Sequence, residues 1–182
     1  MNEIRKWQVP ARVNLIGDHT DYSGGLALPI AINRSLVVKA RRRDDEYTHV
    51  WAGGQTAHFH HRAAEAPEGW LRYFAGIARA LDSAGIVPPA LDIVVESDIP
   101  IGAGLSSSAA LCCGVVLAMA SFAEQQLTPA QAAQFAAQAE NEYVGAPTGL
   151  LDQYAICFAQ ADHALMLDFS TPEPQVSPIP VT

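Results

Sequence analysis

Three short stretches of this chain concentrate residue types that do chemistry. The first is Arg12, Asn14, Asp18, His19, Thr20, Asp21 and Tyr22, gathered around the apolar Leu15 and Ile16. Two carboxylates beside a histidine suit a ligand rich in hydroxyl groups, because each oxygen accepts hydrogen bonds. A solvated turn in which Asp18 and Asp21 cap backbone N–H groups uses the same residues, and spacing alone does not choose between the two.

The second stretch reads Pro100-Ile101-Gly102-Ala103-Gly104-Leu105-Ser106-Ser107-Ser108-Ala109-Ala110. Two glycines and three serines stand where an apolar helix begins. Free N–H groups and the helix dipole at such a start favour a phosphate. Glycines let the backbone approach the anion closely, and a serine hydroxyl reaches a phosphate oxygen or a magnesium ion bridging two phosphates. No Gly-Lys-Ser/Thr follows, so this is not a Walker A loop. A glycine-rich turn with capping serines has the same composition, and the segment by itself leaves both readings open.

The third is a pair of carboxylates, Glu140 and Asp152, on either side of Gly145-Ala146-Pro147. That break puts them on different helices, so only the fold can bring them together. Asp152 stands among Leu150, Leu151, Tyr154, Ala155 and Ile156, where a carboxylate is costly unless a cation or hydrogen-bond donors meet it. The exposed face of an amphipathic helix is the competing reading. His58, His60 and His61 form a looser group, for which a solvent-facing strand is a better account than a metal site.

The elements that must position these residues follow from pattern. Trp7 to Gly17 and Leu26 to Val38 read as strands flanking a functional loop, with Pro29 at an edge or bulge. Alternation around Gly53-Gly54 predicts a hairpin over residues 47–61. Trp70, Tyr73, Phe74, Ile77 and Leu81 share one helical face, and Gly85 stands where a carboxy-terminal cap would. Leu91 to Val95 is a short strand, and Ser107 to Phe122 a nearly all-apolar, buried helix. Thr128, Pro129 and Gln131 predict a capping-box start and Gly145 the stop of a further helix. Another helix is expected over about 149–160 and a strand over 163–169. Residues 1–170 are therefore expected to form one domain, and the proline-rich 171–182 a tail or linker. Strands first and helices later argue for an α+β sandwich over a doubly wound parallel sheet.

Composition excludes several classes of function. The chain has 182 residues, 49% apolar and 16% charged, as a folded domain requires. Its formal net charge is −8, and its longest basic run, Arg41 to Arg43, is followed at once by Asp44 and Asp45, so nucleic acid is not an expected partner. No leader opens the chain and no apolar run approaches the ~18–20 residues that span a bilayer, so neither secretion nor membrane insertion is expected. Three cysteines without metal-ligand spacing, two of them adjacent at Cys112 and Cys113, fit reduced thiols in a cytoplasmic protein.

Taken together in this order, the three stretches resemble the galactokinase branch of the GHMP small-molecule kinases over nearly the whole chain. Ala11-Arg12-Val13-Asn14-Leu15-Ile16-Gly17-Asp18-His19-Thr20-Asp21-Tyr22 is similar to the galactokinase signature. Pro100 to Ala110 is similar to the superfamily's ATP-binding motif, and Gly149-Leu150-Leu151-Asp152-Gln153 to the segment bearing the catalytic aspartate. The resemblance implies the family's amino-terminal domain, a ribosomal protein S5 domain 2-like two-layer sandwich of a mostly antiparallel sheet and helices. It implies transfer of phosphate from ATP to the anomeric hydroxyl of galactose or a related monosaccharide.

By the same resemblance Asp152 acts on that hydroxyl as base or orienter, with Arg12 offsetting charge beside it. The backbone of Gly102, Ala103, Gly104, Leu105, Ser106 and Ser107 wraps the ATP phosphates, together with Ser108. Ser108 and Glu140 hold Mg²⁺, and Arg12, Asp18, His19, Asp21, Gly149 and Asp152 bind the sugar. The chain departs from the family at Ala11 and Asp18, where Gly and Glu are usual. The shorter Asp18 opens the choice of sugar to another hexose, a pentose or a uronate. The family's second domain, with another glycine-rich motif, has no counterpart in these residues. Weak activity, self-association through an uncovered apolar face, or a non-catalytic sugar- or nucleotide-binding role are the corresponding expectations.

Overall fold

A computed structural model describes residues 3–60, 67–100 and 102–181. His61 of the histidine group and Ile101 of the phosphate-loop stretch lie outside the described residues.

The amino-terminal alternation becomes β1 (Arg5–Asn14), and the β-branched run after Gly25 becomes β2 (Leu26–Ala27) and β3 (Pro29–Arg42). The Gly53-Gly54 hairpin joins β4 (Tyr47–Ala52) to β5 (Gln55–His60). Then come α1 (Leu71–Ser83), β6 (Leu91–Ser97), α2 (Ser107–Phe122), α3 (Pro129–Gln138), α4 (Leu151–Cys157), β7 (His163–Asp168) and β8 (Gln175–Pro180).

The eight strands make one sheet, antiparallel except for the parallel pair β4 and β6. β3 is its spine. It pairs with β1 along one side, and on the other side with β7 near its start and β6 towards its end. The β1–β3 register shifts between Pro10 and Ala11, at the residue that has no N–H to give the ladder.

Period-two alternation turns Val9, Ala11, Leu36, Val38, Ala40, Val50, Phe59 and Ile93 to one face, where α1 and α2 cover them. α2 is buried nearly all round, as its uniform apolarity requires. It sits so close to the sheet at Gly114 that a Cβ there would meet Val38 Cγ2 at 2.9 Å and Val9 Cγ2 at 3.4 Å. The opposite face of the sheet is open, with Lys39, Arg41, Trp51 and Val94 on it. A second apolar cluster of Ala27, Ala133, Leu151, Tyr154, Leu165, Leu167 and Phe169 seats α4 against β7.

The architecture is the expected two-layer α+β sandwich of a mostly antiparallel sheet and helices. Three local features differ from the sequence reading. The helix that starts on the Thr128 capping box does not run uniformly to Gly145: its last turn, Ala139–Val144, is π-helical. α4 is confined to Leu151–Cys157, because the glycines and proline before it keep residues 145–149 out of regular structure. Gln175–Pro180, read from its prolines as tail or linker, is the edge strand β8, paired with β7 through Pro178↔Leu165 and Pro180↔His163. An edge strand has one unpaired side, which is where prolines without an N–H are tolerated.

Candidate active site

β1 delivers Arg12 at its carboxy-terminal end and α4 delivers Asp152 in its first turn. Arg12 Nε and Nη2 donate to Asp152 Oδ1 at 2.8 and 2.5 Å, and Nη1 donates to the Gly104 carbonyl at 2.9 Å. The guanidinium thus ties the carboxylate to the glycine-serine loop. The Ser106 hydroxyl donates to the other oxygen, Asp152 Oδ2. Ser106 holds a left-handed conformation, φ 56°, which disfavours a residue with a Cβ. Its hydroxyl does not cap α2 and reaches Asp152 instead.

The Gly17–Gly25 loop folds over this pair. Asp21 Oδ2 accepts the Leu151 N–H at 3.1 Å and Oδ1 accepts its neighbour's N–H, from Tyr22, at 3.1 Å. Gly149 has to lack a side chain, since a Cβ there would fall inside the Asp21 carboxylate. Asp18 Oδ1 accepts from Asn14 Nδ2 at 2.7 Å, which draws this short carboxylate back toward β1. His19 has φ 62° and lies against the Tyr22 ring, centroids 5.8 Å apart.

Arg12, Asn14, Asp18, His19, Asp21, Tyr22, Pro147, Thr148, Gly149, Leu151 and Asp152 line one pocket of about 260 Å³. All six residues expected to contact a sugar are in that wall. The reading that Asp18 and Asp21 merely cap backbone is half right for Asp21, whose oxygens both take N–H bonds while its side chain still faces the pocket.

Beside the pocket is a second, buried carboxylate. Glu140 is 1% exposed and sits in the π-helical turn. Burial pushes its pKa up, partly opposed by donors from Gln153, at 2.5 Å, and Ser108. The next residue, Asn141, fixes the connection to α4 by accepting the Thr148 N–H at 2.8 Å and donating to the Thr148 carbonyl at 3.0 Å.

Gly102 and Gly104 have φ of 74° and 69°, with open space where a Cβ would stand, so the loop backbone is bare before α2 begins. An uncovered backbone at the start of a long helix fits a nucleotide phosphate. The Ser108 hydroxyl and Glu140 carboxylate form an all-oxygen pair that fits Mg²⁺, which takes one or two protein oxygens and fills its other positions with water and phosphate. Among the described residues no cluster of three or more His, Cys, Asp or Glu is placed to hold a metal ion, the β5 histidines included.

Four contributors were not singled out from sequence for what their side chains do. They are Ser106 as a donor to Asp152, Gln153 as a donor to Glu140, Asn14 as the partner of Asp18, and Asn141 as a loop clamp. A polar residue in a mostly apolar run, as Gln153 is between Leu151 and Cys157, carried the available signal.

Residues 72–160 match the model of the GHMP kinases N terminal domain, and residues 2–42 match the galactokinase galactose-binding signature. The chain is 38% identical over 164 residues to a galactokinase of a Roseiflexus species, covering 88% of this chain and 42% of that protein. It is 41% identical over 167 residues to a Streptomyces coelicolor galactokinase, covering 89% and 43%. The structure matches Lactococcus lactis galactokinase complexed with galactose, with a TM-score of 0.90 and 30% identity, over 97% of this chain and 47% of that one. The fold alone is shared with Methanococcus jannaschii mevalonate kinase, at 20% identity and a TM-score of 0.78 over 94% and 55% of the two chains. Sequence and structure together thus match the N terminal domain of the GHMP kinases. Within that class they match the amino-terminal part of the galactokinases. The chain spans less than half the length of the curated relatives it matches.

Proposed function

We propose that this chain supplies the sugar pocket and phosphate loop of a sugar 1-kinase, which transfers a phosphoryl group from ATP to the anomeric hydroxyl of galactose or a related monosaccharide. The observation that carries this reading is the Arg12–Asp152–Ser106 arrangement at the floor of a polar pocket, next to a bare glycine loop.

Arg12 orients Asp152 and offsets its charge by occupying one carboxylate oxygen with two N–H donors. Asp152 then orients the sugar hydroxyl and accepts its proton, a modest demand because phosphoryl transfer through a loose transition state asks mainly for positioning. Asp18, His19 and Asp21 take the remaining hydroxyls, and Gly149 lets the sugar approach the backbone. Gly102 to Ser107 would hold the ATP phosphates through backbone N–H groups, and Ser108 and Glu140 would hold Mg²⁺. When bound, the metal supplies positive charge for the phosphate oxygens.

A non-catalytic sugar- or nucleotide-binding module is the second reading, and the same polar pocket and bare glycine loop would serve it. Three free cysteines support a cytoplasmic setting for either. No helix among the described residues is long and apolar enough to cross a membrane.

Calorimetric titration of galactose and of a non-hydrolysable ATP analogue with Mg²⁺ tests the site directly. Binding of both, with the nucleotide affinity depending on Mg²⁺ and falling in Glu140→Gln, is the expected result. Absence of nucleotide binding by the folded chain counts against both readings of the loop.

A further inference from the structure

Two thiols adjoin this site without taking part in the chemistry proposed for it. Cys113 is buried on α2, and Cys157 ends α4, half-buried, five residues beyond Asp152. Cys113 Sγ lies 4.0 Å from the backbone oxygen of Gln153. Cys157 stands four residues after Gln153, one turn further along the same side of the helix. That register brings the Cys157 side chain to the Cys113 thiol, whose proton it helps to hold. Cys112 points about 100° away around α2, toward Glu140 and Tyr73.

We propose that Cys113 and Cys157 are a dithiol modification site that takes a low-molecular-weight disulfide and closes into a reversible cross-link between α2 and α4. The cross-link joins the helix that opens on the glycine-serine loop to the helix that carries Asp152.

The exchange runs in two balanced steps. Cys157, the more accessible thiol, loses its proton to solvent, and its sulfur attacks one sulfur of the reagent. The reagent's S–S bond breaks, and one half leaves as a thiolate that takes up a proton. Cys113 then attacks the Cys157 sulfur and passes its proton to the departing half, breaking the mixed disulfide and releasing that half as a thiol. Two protein thiols are oxidised and one reagent disulfide is reduced to two thiols. The second step needs no solvent path to Cys113, because the neighbouring side chains have only to bring their sulfurs to ~2.05 Å. Contact with Cys157 and burial hold Cys113 in its protonated form, which makes that step the slower one.

The test is to incubate the native chain with oxidised glutathione, trap remaining thiols by alkylation, and weigh the intact protein. The expected product has lost two hydrogens and alkylates at one cysteine, and dithiothreitol restores three reactive thiols. Cleavage after glutamates, which separates Cys113 from Cys157 at Glu124, Glu140 and Glu142, should give one joined pair of peptides. Cys112→Ser should leave the cross-link unchanged, Cys113→Ser should stop at a glutathione adduct on Cys157, and Cys157→Ser should abolish the reaction. A stable adduct on wild-type Cys157 with Cys113 still open to alkylation overturns the proposal. So does a link through Cys112, or no reaction at all. None of these readouts depends on kinase activity, so they stand apart from the reading of the sugar site.

Discussion

Asp152 is gripped at both oxygens, by Arg12 on one and Ser106 on the other, and the cost of the left-handed Ser106 backbone is the clearest sign that this grip matters. Glu140 is under the opposite stress, since burial raises its pKa. A carboxyl whose folded pKa lies above its unfolded value loses stability as pH rises from the unfolded to the folded pKa, because only the unfolded chain ionises freely in that window. Glu140→Gln should therefore melt higher than wild type above the window and equally below it, as followed by thermal unfolding over a pH series. Gly149→Ala should cost about 1–3 kcal/mol of stability in urea unfolding, because the new methyl must displace the Asp21 carboxylate and the α4 cap it provides. Of the residues in the pocket wall, Arg12, Asp18, His19 and Asp21 were legible as types clustered in sequence, and Asp152 as a carboxylate in an apolar run. Their division of labour was not, since it depends on which backbone N–H groups and side chains the fold brings within reach.

At the level of elements, α2 links the sheet to the loop. Its span was readable to the residue, Ser107–Phe122, because an all-apolar run bounded by serines and polar residues has few alternatives. The hairpin and the Thr128 capping box were equally plain, since turn and cap chemistry is local. The π-helical turn and β8 were hidden for the converse reason. The first depends on how Glu140 and Asn141 meet α4 and its approach, and the second on an edge that tolerates proline. Gly114→Ala should show how tightly α2 is seated. The added Cβ meets Val38 at 2.9 Å in the core, and a loss of about 1–3 kcal/mol is expected by chemical denaturation, with the sheet spectrum retained.

For the whole molecule, the notable surface is apolar. Leu15, Ile16, Tyr22 and Leu26 are 56%, 70%, 71% and 55% exposed around the loop that covers the pocket. Grouped apolar exposure of this kind favours association. The chain should show a concentration-dependent rise in mass by light scattering, reduced in Ile16→Asp, whose side chain is exposed and so should leave the fold intact. The net charge of −8 opposes non-specific clumping, so the association should strengthen with salt.

Asp152 is proposed to handle the anomeric hydroxyl, and one measurement tests that role most directly. The chain is incubated with Mg-ATP and, separately, galactose, related hexoses, arabinose and galacturonate, and sugar phosphates are sought by mass spectrometry beside an Asp152→Asn control. The predicted result is slow formation of a sugar 1-phosphate from at least one neutral sugar, absent from the control. Equal product from the Asp152→Asn chain, or phosphate on a hydroxyl other than the anomeric one, would contradict it.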